Sequence, residues 1–292
     1  MRALLVSGAQ MQIRLGDRKV GITSRAPAML VKLMEMSRQA VFVFRRPIRA
    51  VACYVSRSLP PERTLRLRNG FSVSLSSCSE DIVTAMLAFC LREYGPVRQG
   101  WTVVDIGANF GGFSLYAAMM GAQKVYAFEP NKEAYECLVG NITQNHLESV
   151  IQASRMAVWD QDDALVSVPS SSSPRNRIDC LIRAQREEGV ESVRTISVGS
   201  LIEANGIGEV DLLKLDCEGA EYPILLRASD AILGKIRRVR LEYHGTDLDG
   251  REGNIQDLIS HLRRHGFQVN RHRRYVENTG ILWFFRSERA HQ

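Results

Sequence analysis

Short apolar runs alternate with segments of helical spacing from residue 101 onward, and this alternation most restricts the possible folds. Each run is too short for a buried helix and is bounded by polar residues or turn residues, which predicts buried parallel strands. The predicted strands are WTVVDIG (101–107), KVYAFEP (124–130), VIQASRMAVW (150–159), VDLLKLD (210–216) and IRRVRLEYH (236–244). Helices are predicted over 112–121 and over 131–145, where Asn131 is the expected N-cap. The chain is therefore predicted to be an α/β protein with a doubly wound, mostly parallel sheet.

The C-terminal part of the sequence predicts an antiparallel hairpin instead of a further strand–helix–strand unit. After a helical segment over 254–266, strand-like pieces cover 267–276 and 280–286, with Asn278 to Gly280 between them. This short polar turn predicts an antiparallel hairpin at the edge of the sheet. The stretch 160–192 is rich in charge and contains the run PSSSSP, so we expect a loop or small excursion outside the core.

The N-terminal part is basic. Residues 1–68 hold 14 Lys and Arg against three Asp and Glu, whereas the remaining residues hold 24 against 29. Apolar residues over 28–58 have helical spacing that breaks at Pro47, so a largely helical N-terminal extension (1–68) is predicted before the main domain (69–292). Such an extension could contact an anionic membrane, a nucleic acid or an acidic partner, or it could be a solvated helical arm.

Two further predictions concern the start of the main domain. Alternating residues over 64–75, around Asn69-Gly70, predict a hairpin. A helix is predicted over 79–95, with Ser79 as its cap and Gly95 at its end.

Several classes of protein are excluded or disfavoured. No apolar run approaches the ~18 residues that a membrane-spanning helix needs, and no signal peptide is recognisable. The six cysteines are scattered, with neither a C-x-x-C pair nor a histidine at zinc-ligand spacing. We therefore expect a cytoplasmic protein with reduced thiols and no metal centre.

A glycine turn follows the first strand. The segment DIGANFG, from Asp105 to Gly111, lets the backbone approach a ligand before a helix begins. The fingerprint of dinucleotide-binding sites requires a second glycine at the position where this chain has Asn109. The chain also has no P-loop motif. Both observations favour a ligand without phosphates. Glu129 ends the second strand, where a carboxylate can accept hydrogen bonds from the ribose hydroxyls of a nucleoside.

These segments resemble the FkbM family of class I methyltransferases. The resemblance lies in VVDIGANFGGFSLYAA (103–118), VYAFEPNKEAYECLVGNITQN (125–145), VDLLKLDCEGAEYPIL (210–225) and LEYHG (241–245). It implies a Rossmann-like, seven-stranded sheet and S-adenosylmethionine as the methyl donor, usually for O-methylation of a sugar or natural product.

The resemblance also implies a set of cofactor-binding residues. Asp105, Gly107, Asn109 and Gly111 would line the methionine half of the cofactor. Glu129 would hold the ribose, and the backbone near Ala157 and Val158 would flank the adenine. One departure is SVGSLI (197–202), which lacks an acidic residue that the family often has there.

Ionisable residues follow the fourth and fifth strands. Asp216, Glu218 and Glu221 follow one strand, and Glu242 and His244 end the other. His244 is the first candidate for the base that accepts the proton of a hydroxyl, and Asp216 or Glu242 is the second.

Structural roles for these residues remain open alternatives. Glu221 could pair with an arginine of the next helix, Glu218 could cap that helix, and His244 could be a structural hydrogen-bonding residue. A Mg²⁺ or Mn²⁺ site in this group is a further alternative that no ligand spacing supports.

The sequence therefore predicts an O-methyltransferase for a small-molecule or glycan acceptor. The chain has Asp216-Cys217-Glu218-Gly219 where nucleic-acid amino-methyltransferases have [N/D]-P-P-[F/Y/W], so no strong nucleic-acid signal exists there. Methylation of a protein or RNA guided by the basic extension, and a binding protein without activity, remain alternatives.

Overall fold

A computed structural model describes residues 10–15, 18–23, 26–169, 179–180, 190–245, 254–275 and 279–286. The helices within these residues are α1 (Ala26–Val43), α2 (Pro47–Ser56), α3 (Asp81–Met86), α4 (Gly112–Met119), α5 (Lys132–Gln144), α6 (Val198–Ala204), α7 (Glu221–Leu226), α8 (Asp230–Gly234) and α9 (Ile255–Arg264). A π-helical turn, Leu87–Leu91, continues α3. None of these helices has the length and apolar character needed to cross a bilayer.

The strands fall into one large sheet and three small ones. They are β1 (Gln10–Leu15), β2 (Arg18–Thr23), β3 (Thr64–Arg66), β4 (Ser72–Ser74), β5 (Thr102–Ile106), β6 (Lys124–Phe128), β7 (Ile151–Ser154), β8 (Ala157–Trp159), β9 (Leu165–Pro169), β10 (Asp179–Cys180), β11 (Val190–Ser197), β12 (Leu212–Leu215), β13 (Arg238–Tyr243), β14 (Phe267–Arg274) and β15 (Gly280–Arg286).

The large sheet has seven strands in the order β14-β15-β13-β12-β5-β6-β7. The five strands from β13 to β7 are parallel, whereas β15 runs antiparallel to β13 and β14 antiparallel to β15. This arrangement confirms the predicted mostly parallel sheet and its C-terminal hairpin. Strand order reverses between β5 and β12, and ligands bind at such switch points.

The two faces of this sheet carry separate hydrophobic clusters. Alternate residues of β5 point to opposite faces, so Val103 joins one cluster and Val104 joins the other. The first cluster contains residues of α1 to α5, and the second contains residues of α6 to α9. Helices therefore cover both faces, as a doubly wound fold requires.

The strand predicted over 150–159 is wrong as a single element. The chain forms β7 at the edge of the large sheet, and after Arg155 and Met156 it forms β8, which pairs in parallel with β11 of a separate four-stranded sheet. The apolar side chains of β8 are buried in two different environments, because Ala157 packs in a small cluster with Val166 and Val168 whereas Val158 packs beside the large sheet.

The predicted loop over 160–192 also needs correction. Strand β9 pairs antiparallel with β11, and its alternate residues Val166 and Val168 are 0% and 2% exposed. Alternating burial stabilises this strand despite its polar surroundings, and the small sheet lies outside the large one as expected. Most of the Ser-rich run lies outside the described residues.

The N-terminal helices α1 and α2 lie where the sequence predicts two helices separated at Pro47, which occupies the first position of α2. Met36, Ala40 and Phe44 are buried in the first hydrophobic cluster, and the ring of Phe44 lies 6.5 Å from that of Phe89. The division of the chain at residue 68 into an extension and a domain stays a prediction.

In the segment over 64–95, the predicted hairpin is present, but the bounds of the predicted helix differ from those in the structure. The hairpin around Asn69-Gly70 is present as β3 and β4. The next helix, however, begins at Asp81 with Glu80 at its N-cap position, so the prediction of a Ser79 cap is wrong. The buried Asp81 carboxylate accepts a hydrogen bond from the Ser76 N–H. The helix ends after Leu91 instead of at Gly95, as Arg92 adopts a left-handed conformation with φ of 49°.

Candidate active site

A cavity of about 290 Å³ lies beyond the carboxyl ends of β5, β6, β12 and β13. Its walls come from the segments 106–109, 128–131 and 214–218, together with Tyr94, Met156, Val158 and Glu242. These strand ends meet because the strands are parallel neighbours in the sheet, so residues far apart in the chain converge here.

The glycine turn after β5 forms one wall of this cavity. The N–H groups of Gly107 and Ala108 both donate to the Phe128 carbonyl at 3.0 Å, which holds the turn against β6. Gly107 has φ of 72°, and a Cβ atom there would lie 1.9 Å from the Asp216 carbonyl oxygen. Only glycine therefore allows the turn and the end of β12 to approach so closely.

Glu129 lies opposite the same turn and also lines the cavity. Its two oxygens accept hydrogen bonds from the backbone N–H groups of Asn109 at 2.7 Å and of Asn131 at 2.9 Å. Burial raises the pKa of Glu129 to about 7, although these N–H groups and the charge of Lys214 act in the opposite direction. The structure thus brings the predicted glycine turn and Glu129 to one cavity.

Three of the predicted cofactor-binding residues do not line this cavity. Asp105 is fully buried, and its Oδ2 accepts a hydrogen bond from Ser114 at 2.6 Å. Gly111 faces α5, since a Cβ atom there would lie 2.5 Å from Leu138 Cδ1. Ala157 is buried in the small cluster of the second sheet, whereas its neighbour Val158 lines the cavity. Asp105 and Gly111 therefore support the turn instead of facing a ligand.

Lys214 is an important residue that the sequence interpretation missed. Its side chain is 3% exposed, its Nζ lies 2.9 Å from Asp105 Oδ1, and it donates to the Gly107 carbonyl at 2.7 Å. Burial lowers the pKa of Lys214, but the charges of Asp105 and Asp216 outweigh it and raise the pKa above its ordinary value. A lysine inside the buried run VDLLKLD was the available signal, because a buried ammonium group requires a partner.

Tyr94 connects two of the predicted catalytic carboxylates. Its hydroxyl donates to Asp216 Oδ2 at 2.7 Å and lies 3.5 Å from Glu242 Oε2. Burial and then the charge of Asp216 raise the pKa of Glu242 to about 8. Burial and both carboxylates also raise the pKa of Tyr94 well above its ordinary value, so the tyrosine stays a hydrogen-bond donor. Nothing in the local sequence indicated that Tyr94 belongs to this group.

His244 is held between two carboxylates. Its Nδ1 lies 3.2 Å from Glu221 Oε1, and its Nε2 lies 3.5 Å from Glu218 Oε2. Burial lowers the pKa of His244, but Glu221, Glu218 and Asp216 outweigh this effect and raise it to about 10. In this arrangement the imidazole carries its proton at neutral pH and has no free lone pair with which to act as a base.

Glu221 has a structural role different from the arginine pair considered above. Its carboxylate is fully buried and accepts hydrogen bonds at 2.9 Å from the N–H groups of Cys217 and Gly219, as well as pairing with His244. Burial alone would raise the pKa of Glu221, but His244 and these N–H groups lower it below its ordinary value. Glu221 thus fixes the loop that follows β12.

Ligand-type atoms of Asp216, Glu218 and His244 lie within 4.8 Å of one another. Atoms at this spacing could ligate a divalent cation. The ion pairs of His244 with Glu218 and Glu221 also explain why these groups lie close together when no metal is bound. The expectation that this protein has no metal centre stays a prediction.

Comparison with known proteins gives a family match over this region. The model of the methyltransferase FkbM domain matches residues 105–269, which is more than half of the chain. The chain is 29% identical over 238 residues to the 31-O-demethyl-FK506 methyltransferase FkbM of Streptomyces tacrolimicus, covering 70% of this chain and 89% of that protein. It is 27% identical to the methyltransferase sdnD of Sordaria araneosa, covering 59% of this chain and 75% of that protein.

Two further similarities are more limited. The antimetabolite synthetase AmbE of Pseudomonas aeruginosa is 26% identical over 58% of this chain, but the match spans only 10% of that protein. A solved structure of a putative tRNA (m1A22) methyltransferase from Streptococcus pneumoniae, in complex with S-adenosyl-L-methionine, has a TM-score of 0.41 and 14% identity. It covers 71% of this chain and 72% of that one.

The ion pair between Lys214 and Asp105 leads to a stability prediction. We expect Lys214→Met to lower the free energy of unfolding by about 3 to 5 kcal/mol, because it leaves the Asp105 carboxylate buried without a counter-charge. Urea unfolding followed by tryptophan fluorescence measures this change. Asp105→Asn in the same chain should recover part of the loss, since no charge then remains buried.

The matched control is Lys132→Met, at an exposed lysine of α5. It should change the free energy of unfolding by no more than about 0.5 kcal/mol. Equal effects of Lys214→Met and Lys132→Met would contradict the structural importance of the buried pair.

Proposed function

This chain belongs to the FkbM family of methyltransferases, and on that premise we propose that it methylates a hydroxyl group of a small molecule or glycan. The methyl donor of a methyltransferase of this family is S-adenosylmethionine, which we take as its cofactor. The observation that carries the proposal is the position of Glu242, a half-buried carboxylate with a raised pKa on the wall of the cavity that also contains the glycine turn and Glu129. A hydroxyl nucleophile needs such a base, because its proton has to leave during attack.

The related proteins support an oxygen acceptor. The name of the Streptomyces relative gives 31-O-demethyl-FK506 as the compound on which that methyltransferase acts. The match covers most of both chains, which makes a similar acceptor class a reasonable inference for this chain.

The cavity residues fit the proposed cofactor in charge and shape. Each Glu129 oxygen accepts one backbone hydrogen bond and retains a lone pair, so the carboxylate can accept from the two hydroxyls of a ribose. The backbone of Gly107 and Asn109 would face the methionine part, and Val158 and Phe128 would provide apolar contact for the adenine. The negative charge of Asp216 favours a positively charged ligand, and such a ligand would in turn favour the ionised form of Glu242.

When bound, S-adenosylmethionine supplies an electrophilic methyl group on a sulfonium. An acceptor hydroxyl placed in line with this methyl group would have to lose its proton during attack, and Glu242 would take that proton. Asp216, held by Tyr94, raises the proton affinity of Glu242 through its charge. His244, already protonated, holds Glu218 and Glu221 in place beside the cavity.

We expect methyl-labelled S-adenosylmethionine and purified protein to label the small-molecule or glycan fraction of a cell extract. The product should be a methyl ether, which survives mild alkali, whereas a methyl ester would be hydrolysed. Mass spectrometry of the labelled product measures both properties. Label in the protein or RNA fraction, or label released by alkali, would contradict the proposal.

Glu129 gives a binding prediction. We expect Glu129→Ala to weaken binding of S-adenosylmethionine by about 1.5 to 3 kcal/mol, the range for hydrogen bonds to a charged group. Calorimetric titration with the cofactor and its demethylated product measures this loss. The control is Glu203→Ala, an exposed carboxylate of α6, and thermal unfolding of each variant checks that the fold persists.

The same titration has an expected pH dependence. The pKa of Glu129 is about 7 in the free protein, so lowering the pH below this value protonates the carboxyl and removes an acceptor. Binding by the wild type should therefore weaken as the pH falls, and Glu129→Ala should lose this part of the dependence. Unchanged affinity in the variant would remove Glu129 from the ribose site.

Glu242 gives a kinetic prediction for the acceptor found by labelling. We expect Glu242→Gln to lower kcat by ~10² to 10⁴ with little change in the KM for the cofactor. In the wild type, kcat should rise with pH as Glu242 loses its proton, with a midpoint at or below a pKa of about 8, because the bound sulfonium favours the carboxylate. The rise should be absent in the variant.

The matched control for this experiment is Glu209→Gln, since Glu209 is a surface carboxylate paired with Arg237 and lies outside the cavity. It should leave kcat and its pH profile unchanged. If Glu242→Gln instead retained the wild-type kcat, another residue would be the base.

A further inference from the structure

Helices α1 and α2 expose an unusual number of large apolar side chains. Of the ten such side chains among the described residues, seven lie on these two helices. They are Leu30, Val31, Met34, Val41 and Phe42 of α1, and Ile48 and Val55 of α2, which we call the α1–α2 surface. Phe42 is 69% exposed and Ile48 is 86% exposed. Such a concentration of exposed large apolar side chains on two neighbouring helices is typical of an interaction site.

The exposed residues share one side of each helix. Leu30, Met34 and Val41 are separated by four and seven positions, which places them along one side of α1, opposite the fully buried Met36 and Ala40. Ile48 and Val55 are likewise seven positions apart on α2, whereas Ala50 and Cys53 of that helix are buried. Each helix therefore packs on the core with one side and presents apolar side chains on the other.

Arginines accompany these apolar side chains. The turn between α1 and α2 exposes Arg45 and Arg46, between Phe42 and Ile48 in the chain. A second cavity, of about 510 Å³, is lined by Arg45, Arg46, Arg49 and Arg66. Its one acidic lining residue is Glu62, whose carboxylate lies 2.7 Å from Arg49 and 3.8 Å from Arg46. The cavity thus has a positive net charge.

We propose that the α1–α2 surface docks on an anionic phospholipid bilayer. The apolar side chains would enter the interfacial region, and the arginines of the second cavity would bind the phosphates of lipid headgroups. Because no described helix can cross a bilayer, the helices would lie on the membrane. This inference does not depend on the acceptor or on the base proposed above.

Neither a nucleic acid nor a second copy of the chain fits this surface as well. Nucleic acids bind basic grooves through phosphate contacts and stacking, and protruding aliphatic residues such as Leu30 and Ile48 have no partner there. A symmetric dimer through the same surface would bring like-charged arginines together, which is unfavourable. A bilayer with anionic headgroups satisfies both the apolar and the positive groups.

The α1–α2 surface lies near the active-site cavity, because α2 connects the two. Helix α2 begins at Pro47, beside the exposed arginines, and Arg57, which follows its last residue, lines the active-site cavity. Ten residues of helix span about 15 Å, so one wall of the active-site cavity lies about that distance along α2 from the exposed arginines.

The test is co-sedimentation of the full chain with vesicles. We expect binding to vesicles of phosphatidylglycerol and phosphatidylcholine in equal parts, weak binding to phosphatidylcholine alone, and a decrease with rising salt. Phe42→Ser with Ile48→Ser, and separately Arg45→Ala with Arg46→Ala, should each weaken partitioning roughly tenfold or more.

Two matched variants serve as controls. Leu165→Ser removes another exposed apolar side chain, and Arg263→Ala with Arg264→Ala removes two exposed arginines of α9. Both should partition as the wild type does, and cofactor binding should persist in every variant.

Three outcomes would overturn the proposal. The first is no binding of the wild type to anionic vesicles, and the second is equal loss in the surface and control variants. The third is a dimer in analytical ultracentrifugation that Phe42→Ser with Ile48→Ser dissociates, since a second copy would then cover this surface.

Discussion

The buried ion pair between Asp105 and Lys214 connects the two central strands beneath the active-site cavity. Lys214 also donates to the Gly107 carbonyl, so one ammonium group holds both the carboxylate of β5 and the turn that follows it. A charge at this depth is tolerated only with such partners, because the low-dielectric interior makes an unpaired charge costly. The position of the glycine turn after β5 therefore depends on a contact between distant parts of the chain.

The carboxylates around the cavity do not behave alike, and their surroundings explain the difference. Glu221 accepts two backbone hydrogen bonds and faces a protonated His244, so it stays ionised and acts as a structural anchor. Glu242 is half-buried beside Asp216, and the loss of solvation together with the charge of Asp216 outweighs the effect of His244 and raises its pKa to about 8. Similar side chains thus acquire different protonation behaviour from burial and neighbouring charge.

The active-site cavity and the α1–α2 surface both adjoin elements that pack into the first hydrophobic cluster. Helix α1 packs into this cluster through Met36 and Ala40, and α2 through Ala50 and Cys53, while both helices expose other apolar side chains to solvent. The helical extension is therefore fixed to the core that supports the glycine turn. Substrate access and membrane docking would share one rigid support.

The sequence by itself determined the alternation of strands and helices, the C-terminal hairpin, the glycine turn and the placement of Glu129 at a strand end, because each depends on patterns within a few residues. Only the tertiary structure placed Tyr94 between Asp216 and Glu242, which lie 122 and 148 positions away in the chain. It also split the strand predicted over 150–159 and enclosed His244 between carboxylates. Burial and electrostatic coupling arise from the packing of distant segments, so pKa values and ion pairs are decided by the fold.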